Sequence, residues 1–203
     1  MEFHVDSTVY SGIPENKKDR LPVEQRTYEL LESLGISFAR LDHDAAYTID
    51  ACAAVDQLLG IHMCKNLFLC NAQKTKFYLL LMPGHKKFKT KALSKQINSA
   101  RLSFADDAHM EEYLGITPGS VSVLGLMNDP DNHVRLLIDK DLLQDEYLGC
   151  HPCINTSSLK IKTADVWEKL LPAAHHDPPY VKLQWEDYGA PPYAGPSASR
   201  AIA

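Results

Sequence analysis

Three short polar segments of this 203-residue chain have residue types and spacings suited to phosphate and acyl chemistry. Lys65 and Asn66 stand just ahead of the apolar run Leu67-Phe68-Leu69-Cys70, at the rim where a strand meets solvent. A lysine ammonium placed there binds phosphate as a point charge, and the adjoining carboxamide offers both a donor and an acceptor. A strand-end lysine that merely snorkels its stem over apolar neighbours fits the same pattern. Thr117-Pro118-Gly119-Ser120 suits a type II turn, with proline presetting its second position and glycine accepting positive φ at the third. Outward N–H groups on such a turn can hold a carbonyl oxygen, as oxyanion donors do, although Pro-Gly also marks ordinary connectors. His151 precedes Pro152 and lies four residues before Asn155. A histidine changes charge near neutral pH and so suits a proton shuttle or an orienting group, but with nine histidines in the chain a solvated or structural role is the commoner fate of any one.

Cys150-His151-Pro152-Cys153 is formally a C-x-x-C motif, open to redox or metal chemistry. It comes late in the chain and runs into a strand, whereas thioredoxin-like sites open a helix after an early strand. Zinc would need two further ligands; there is no second paired motif, and His175-His176 is the local candidate pair. Five cysteines at irregular spacing in a chain of this size read as reduced, mostly buried thiols.

The elements that position these groups are mixed α and β, without repeats. Pro22 suits a helix first turn, Val23 to Leu34 carries the apolar face, and Gly35 ends it. Ser37 to Leu41 reads as a strand, and Thr48 to Leu59 as a helix capped by Thr48 and stopped by Gly60. Leu67 to Cys70 and Phe77 to Met82 form an apolar hairpin. Short helices at Thr90 to Ile97 and Asp106 to Tyr113 flank a strand at Leu102 to Phe104, and Gly115 ends the second. Val121 to Leu126 and His133 to Ile138 read as a further hairpin around Asn128-Asp129-Pro130-Asp131-Asn132. Strands near Tyr147 to Cys150 and Leu159 to Lys162 precede a last helix, Thr163 to Leu170, capped by Thr163. Val181 to Leu183 reads as an edge strand, and the Pro-, Gly-, Ser- and Ala-rich sequence from Gln184 as an unpacked tail.

The net charge is −5, yet no acidic residue occurs between Asp56 and Asp106, where Lys65, Lys74, Lys76, Lys86, Lys87, Lys89, Lys91, Lys95 and Arg101 supply nine positive charges. Such polarity suits one face meeting a phosphate backbone; a solvated lysine-rich helix and loop is the alternative. No run approaches the roughly 18 apolar residues of a membrane span, and the N-terminus lacks a charged-then-apolar signal pattern. A cytoplasmic protein with one core is the expectation.

Read together, Lys65-Asn66-Leu-Phe-Leu, Arg101-Leu-Ser-Phe-Ala, Leu114-Gly-Ile-Thr-Pro-Gly-Ser-Val, Gly125-Leu-Met-Asn-Asp and His151-Pro-Cys-Ile-Asn-Thr resemble the prolyl-tRNA editing family of the YbaK/ProX type, and within it the freestanding ProX/PrdX deacylases. The resemblance runs from about Leu21 to Leu183. It implies an α+β editing domain over residues 21–183, with a mixed, mainly antiparallel sheet surrounded by helices, an N-terminal arm at 1–20 and a flexible tail at 184–203. It further implies hydrolysis in trans of the ester of mischarged alanyl-tRNA(Pro), with no metal or organic cofactor. Partners would be the acceptor end of tRNA(Pro) and prolyl-tRNA synthetase, with no membrane and no DNA. By the same resemblance Lys65 contacts the terminal nucleotide, Asn66 contributes to substrate binding, the loop from Gly119 through Ser120 to Val123 borders the scissile ester, and His151 lies in the same pocket. Val123 stands where many relatives have proline. Tyr47 and Ile49, beside the second helix, are candidate pocket walls, and Asn155 is a further candidate for substrate binding. A cysteinyl-tRNA(Pro) deacylase and a non-catalytic tRNA-binding module are the competing readings.

Overall fold

The computed structural model describes residues 3–45 and 49–184, the side chains of 49–52 excepted. Two sheets enclose the main core. The first is antiparallel throughout and consists of β1 (Tyr10–Ser11), β2 (Phe38–Asp42), β7 (Tyr147–Cys150) and β8 (Ser157–Lys162), in the order β1-β2-β8-β7. The second contains β3 (Cys64–Asn71), β4 (Phe77–Pro83), β5 (Leu102–Phe104), β6 (Val134–Asp139) and β9 (Tyr180–Val181), in the order β5-β3-β4-β6-β9. Its β5-β3-β4 part is antiparallel, while β6 pairs parallel with β4 and β9 parallel with β6. The fold is therefore α+β with mainly antiparallel pairing, but divided between two sheets where one was expected.

Alternation along the strands assigns their faces. Cys64, Phe68 and Cys70 of β3 face the core between the sheets, which also takes Phe77, Leu79 and Leu81 of β4 and Leu148, Cys150, Leu159 and Ile161 of the first sheet. The helix α1 (Pro22–Ser33) closes that core with Tyr28 and Leu31. On the outer side, Leu67 and Leu69 pack with Tyr78, Leu80 and Met82 under α3 (Thr90–Gln96), while Ile61 and Met63 join Leu41, Val55 and Leu59 under α2 (Ile49–Leu59). Residues 3–11 lie along β2, with Val5 bridged to His43 and Tyr10 paired with Arg40. Beneath them Asp42 accepts from Arg20 at 2.6 Å and from Arg40. Burial opposes ionisation of this carboxyl, but the two guanidinium groups outweigh it and hold the pKa at about 2.

Helix stops fall at the glycines expected: Gly35, Gly60 and Gly115 all have positive φ. Asp106 caps α4 (Asp107–Leu114) by accepting from the His109 N–H at 3.1 Å. Four expectations require correction. Val121 to Leu126 is no strand: Val123–Asn128 is a 3-10 helix capped by Ser122, and Val123, Leu124, Gly125 and Leu126 are all buried. Without that hairpin, β6 pairs with β4 instead. Thr163 is not a cap, since its N–H donates to the Glu146 carbonyl and its hydroxyl has no partner; the segments Thr163–Asp165, Val166–Leu170 and Leu171–Ala173 run on continuously through a π-turn. Lys86 belongs to no basic surface, because it is fully buried between Asp139 and Asp141, its Nζ 2.8 Å from a carboxylate oxygen of each. The last strand is Tyr180–Val181, slightly ahead of the expected segment. The Thr48 cap and the tail beyond Gln184 lie outside the described residues.

Candidate active site

The two sheets meet at a seam, where Met63, just ahead of β3, makes a parallel bridge with Gly149 of β7. The Cys64 thiol also reaches the Gly149 carbonyl at 3.0 Å. No side chain fits at position 149: a Cβ there would lie 2.7 Å from Met63 Sδ and 2.8 Å from Ile61 Cδ1. Asp56 of α2 fixes the same point by accepting the Met63 N–H at 2.9 Å. Two residues beyond the bridge on either chain stand Lys65 and His151. In register and by alternation they occupy matching positions on the α2 side of the seam. Sequence reading supplied both residues, but their correspondence in register depends on pairing between remote strands.

Lys65 is partly exposed, and its Nζ donates to the Lys86 carbonyl at 2.9 Å. Loss of hydration lowers its pKa from the ordinary lysine value. The fixed loop around Lys86 thus aims the ammonium. Asn66, as the next residue of the strand, leaves from the opposite face, where its Nδ2 lies 3.3 Å from Cys64 Sγ and its Oδ1 is buried without a partner among the described residues. The adjacent pair therefore faces both ways across β3 rather than lining one wall.

His151 is half-buried and belongs to a polar cluster that sequence reading missed. Its Nδ1 is 3.0 Å from the Ser157 carbonyl, which assigns the proton to Nδ1 and leaves Nε2 as the ring's acceptor. Buried His43 holds the Asp44 carbonyl on Nδ1 at 2.7 Å and Ser158 Oγ on Nε2 at 2.9 Å, so the serine hydroxyl donates to the imidazole. The two rings are 6.3 Å apart, edge to face. Burial pushes both histidines below their ordinary pKa, against the pull of the neighbouring carbonyls, and both favour the neutral form. His43 and Ser158 are 115 residues apart, and no spacing in the chain announces their contact.

The Thr117–Ser120 turn forms as expected, with Gly119 at φ +88° and the Ser120 N–H donating to the Thr117 carbonyl at 3.1 Å. Ser120 is buried, and its hydroxyl also turns back to the Thr117 carbonyl, at 2.7 Å. Both of its donors are thus committed to the turn, which corrects its reading as an oxyanion donor. Among the described residues the Gly119 N–H has no such partner. Two residues further on, Ser122 donates to the His151 carbonyl at 2.6 Å and ties the loop to the histidine segment. Val123 starts the 3-10 helix and is buried. Asn155 lies in the turn before β8, without a hydrogen bond to Lys65, Asn66 or His151. Tyr47 and the Ile49 side chain lie outside the described residues.

The C-x-x-C thiols are core groups. Cys150 and Cys153 are buried and free, as are Cys64 and Cys70, and burial pushes Cys153 up to about 12 and Cys150 well above its ordinary value. A thiol so placed supplies almost no thiolate near neutral pH. Cys52 lies outside the described side chains.

Comparison with known proteins identifies the family. The family model of the aminoacyl-tRNA editing domain matches residues 43–168, from buried His43 to the last helical segment. The prolyl-tRNA editing protein ProX of Acetoanaerobium sticklandii is 31% identical over 153 residues, covering 75% of this chain and 93% of that protein. The prolyl-tRNA synthetase associated domain-containing protein 1 of Mus musculus is 29% identical over 164 residues, covering 78% and 93%. In fold, the chain is similar to a solved structure described as a candidate trans-editing enzyme for prolyl tRNA synthetase, with a TM-score of 0.58 at 16% identity over 81% of this chain and 99% of that one. Match, identity and coverage together show that this chain belongs to the aminoacyl-tRNA editing domain family.

Proposed function

We propose that this protein is a trans-editing deacylase that hydrolyses the ester of mischarged alanyl-tRNA(Pro). The observation that carries the reading is the corresponding placement of Lys65 and His151, each two residues beyond the Met63–Gly149 bridge, in a chain of the editing family. Curated relatives named for prolyl-tRNA editing and for association with prolyl-tRNA synthetase support tRNA(Pro) as substrate and the synthetase as partner. The editing unit in this reading spans residues 21–183, between an arm laid along β2 and a C-terminal tail.

An aminoacyl ester is already activated, so placing it beside water is a large part of the catalysis required. Lys65 holds a phosphate of the terminal nucleotide. Neutral His151, its Nδ1 engaged by Ser157, presents Nε2 as an acceptor that orients the attacking water or the free ribose hydroxyl. As water oxygen bonds to the carbonyl carbon, the Gly119 N–H stabilises the oxyanion. His151 Nε2 takes a proton from that water and returns it to the ribose oxygen as the ester bond breaks, releasing free alanine, and the ribose's free 2′-hydroxyl assists. Discrimination is by size: alanine enters the acyl pocket and proline does not.

The test is deacylation of alanyl-, cysteinyl- and prolyl-tRNA(Pro) by the purified protein beside a folded Lys65→Ala variant. Rapid loss of alanine alone, impaired in the variant, is the expected result. Preference for the cysteinyl ester would move the substrate while keeping the site. Binding of tRNA without hydrolysis of any ester would overturn the enzyme in favour of a binding module.

A further inference from the structure

Beyond Lys65, on the side away from the seam, the outer face of β3 opens into a groove of about 540 Å³ lined by Lys65, Leu67, Phe88, Lys89, Lys91 and Phe104. Phe104 stands on β5, the edge strand of its sheet, and is 63% exposed. Single exposed apolar residues are ordinary, but this ring faces a second one. Phe88 lies 6.3 Å away, nearly edge-on at 69°, leaving the flat of an aromatic ring open beside lysines. Aromatic faces next to cationic side chains are how proteins hold unpaired nucleotides, since every base has a π-face and every linkage a charge. The basic stretch of sequence is partly dispersed by folding, because Lys86 is buried, but Lys89 and Lys91 remain exposed at this groove.

Resting on the function proposed above, we infer that the Phe88–Phe104 groove receives the unpaired nucleotide next to the terminal adenosine of the tRNA 3′ end, its base stacked on Phe104 and its phosphate between Lys65 and Lys91. The path follows from register. Lys65 lies between the groove and His151 on one face, so a strand whose last nucleotide reaches His151 and whose last phosphate meets Lys65 has its preceding nucleotide in the groove. Between the Met63 bridge and the β5 pairing, which begins at Leu69, no described strand covers that edge of β3, and the chain can cross there.

The experiment combines two readouts on the full chain. Phe104→Ala should lower kcat/KM for alanyl-tRNA(Pro) roughly 5- to 150-fold, the usual worth of one stacked base, and Phe104→Trp should retain it. A substrate lacking the penultimate base should lose a similar factor with the wild-type protein and little more with Phe104→Ala. Independently, a single-stranded RNA hexamer ending in CCA should quench the added tryptophan of Phe104→Trp in a saturable, salt-sensitive way above the background of the native tryptophans. Equal activity of Phe104→Ala and wild type, or independent losses from the two changes, would overturn the groove assignment while leaving the deacylase intact. Quenching without hydrolysis of any ester would uphold the groove and remove the deacylase.

Discussion

Replacing Lys86 by methionine tests both the core of the second sheet and the aim of Lys65. The Lys86 ammonium and Asp139 carboxylate are each fully buried, with Nζ 2.8 Å from both Asp139 and Asp141. Asp139 Oδ1 also accepts the Asp141 N–H at 3.2 Å, a backbone bond that cannot neutralise a charge. Lys86→Met therefore strands a carboxylate in the core, at a cost of about 3–5 kcal/mol. For a domain of this size that lowers Tm by roughly 6–20 °C. The double variant Lys86→Met/Asp139→Asn removes the stranded charge and keeps the acceptor for Asp141, so it should recover most of the loss. Urea titration by circular dichroism at 25 °C measures both. A single variant within about 1 kcal/mol of wild type, or a double variant no better than the single, would refute the argument that the pair is held together by mutual burial. At temperatures where the single variant is folded, its KM should rise with kcat nearly unchanged, because the loop whose carbonyl holds Lys65 Nζ has lost its anchor.

Gly119→Ala places an L side chain at φ +88°, which costs about 1–3 kcal/mol and tilts the turn's free N–H; single-turnover hydrolysis should slow at least about tenfold without loss of tRNA binding. His43 and His151 favour the neutral form when folded, so below the ordinary value of 6.5 the unfolded chain binds more protons than the native one. Their contribution to stability is complete above that pH and declines below it, and the acid limb of the deacylation profile, set by His151, should lie below 6.5. Iodoacetamide at pH 8 should leave Cys64, Cys150 and Cys153 unlabelled in the native protein and label them in urea, as peptide mapping would show.

Local chemistry was legible in the sequence and long-range pairing was not. The glycine stops and the type II turn are each dictated within four or five residues, and each forms. The apolar run of Phe77–Pro83 likewise marks a strand buried on both faces. Val121 to Leu126 has the composition of such a strand, but its place is decided by contact with α4: a Cβ on Gly125 would lie 3.2 Å from the Leu114 carbonyl, and Asn128 donates to that same oxygen at 2.7 Å. In the site, Lys65, Gly119 and His151 were marked by type and motif. What joins them was hidden, since the Met63–Gly149 bridge, the Ser122 tie and the His43–Ser158 contact all link residues far apart in the chain. The burial of Lys86 was hidden for the same reason, its carboxylates coming more than fifty positions later.

In the enzyme proposed above, the seam at Gly149 also makes the width of the gap between Lys65 and His151 adjustable from a distance. Lys65 rides on one sheet and His151 on the other, and the parts that set the spacing between them are Ile61, Met63 and an absent side chain. None of these atoms needs to meet the acyl group. Exchanging Met63 for a slimmer or bulkier residue would open or close the hinge line like a shim, altering which ester sits correctly while leaving every reacting group in place. A library aimed at new acyl preferences, or a natural lineage drifting toward one, therefore has a second dial besides the pocket wall, placed where a survey of substrate contacts would not look.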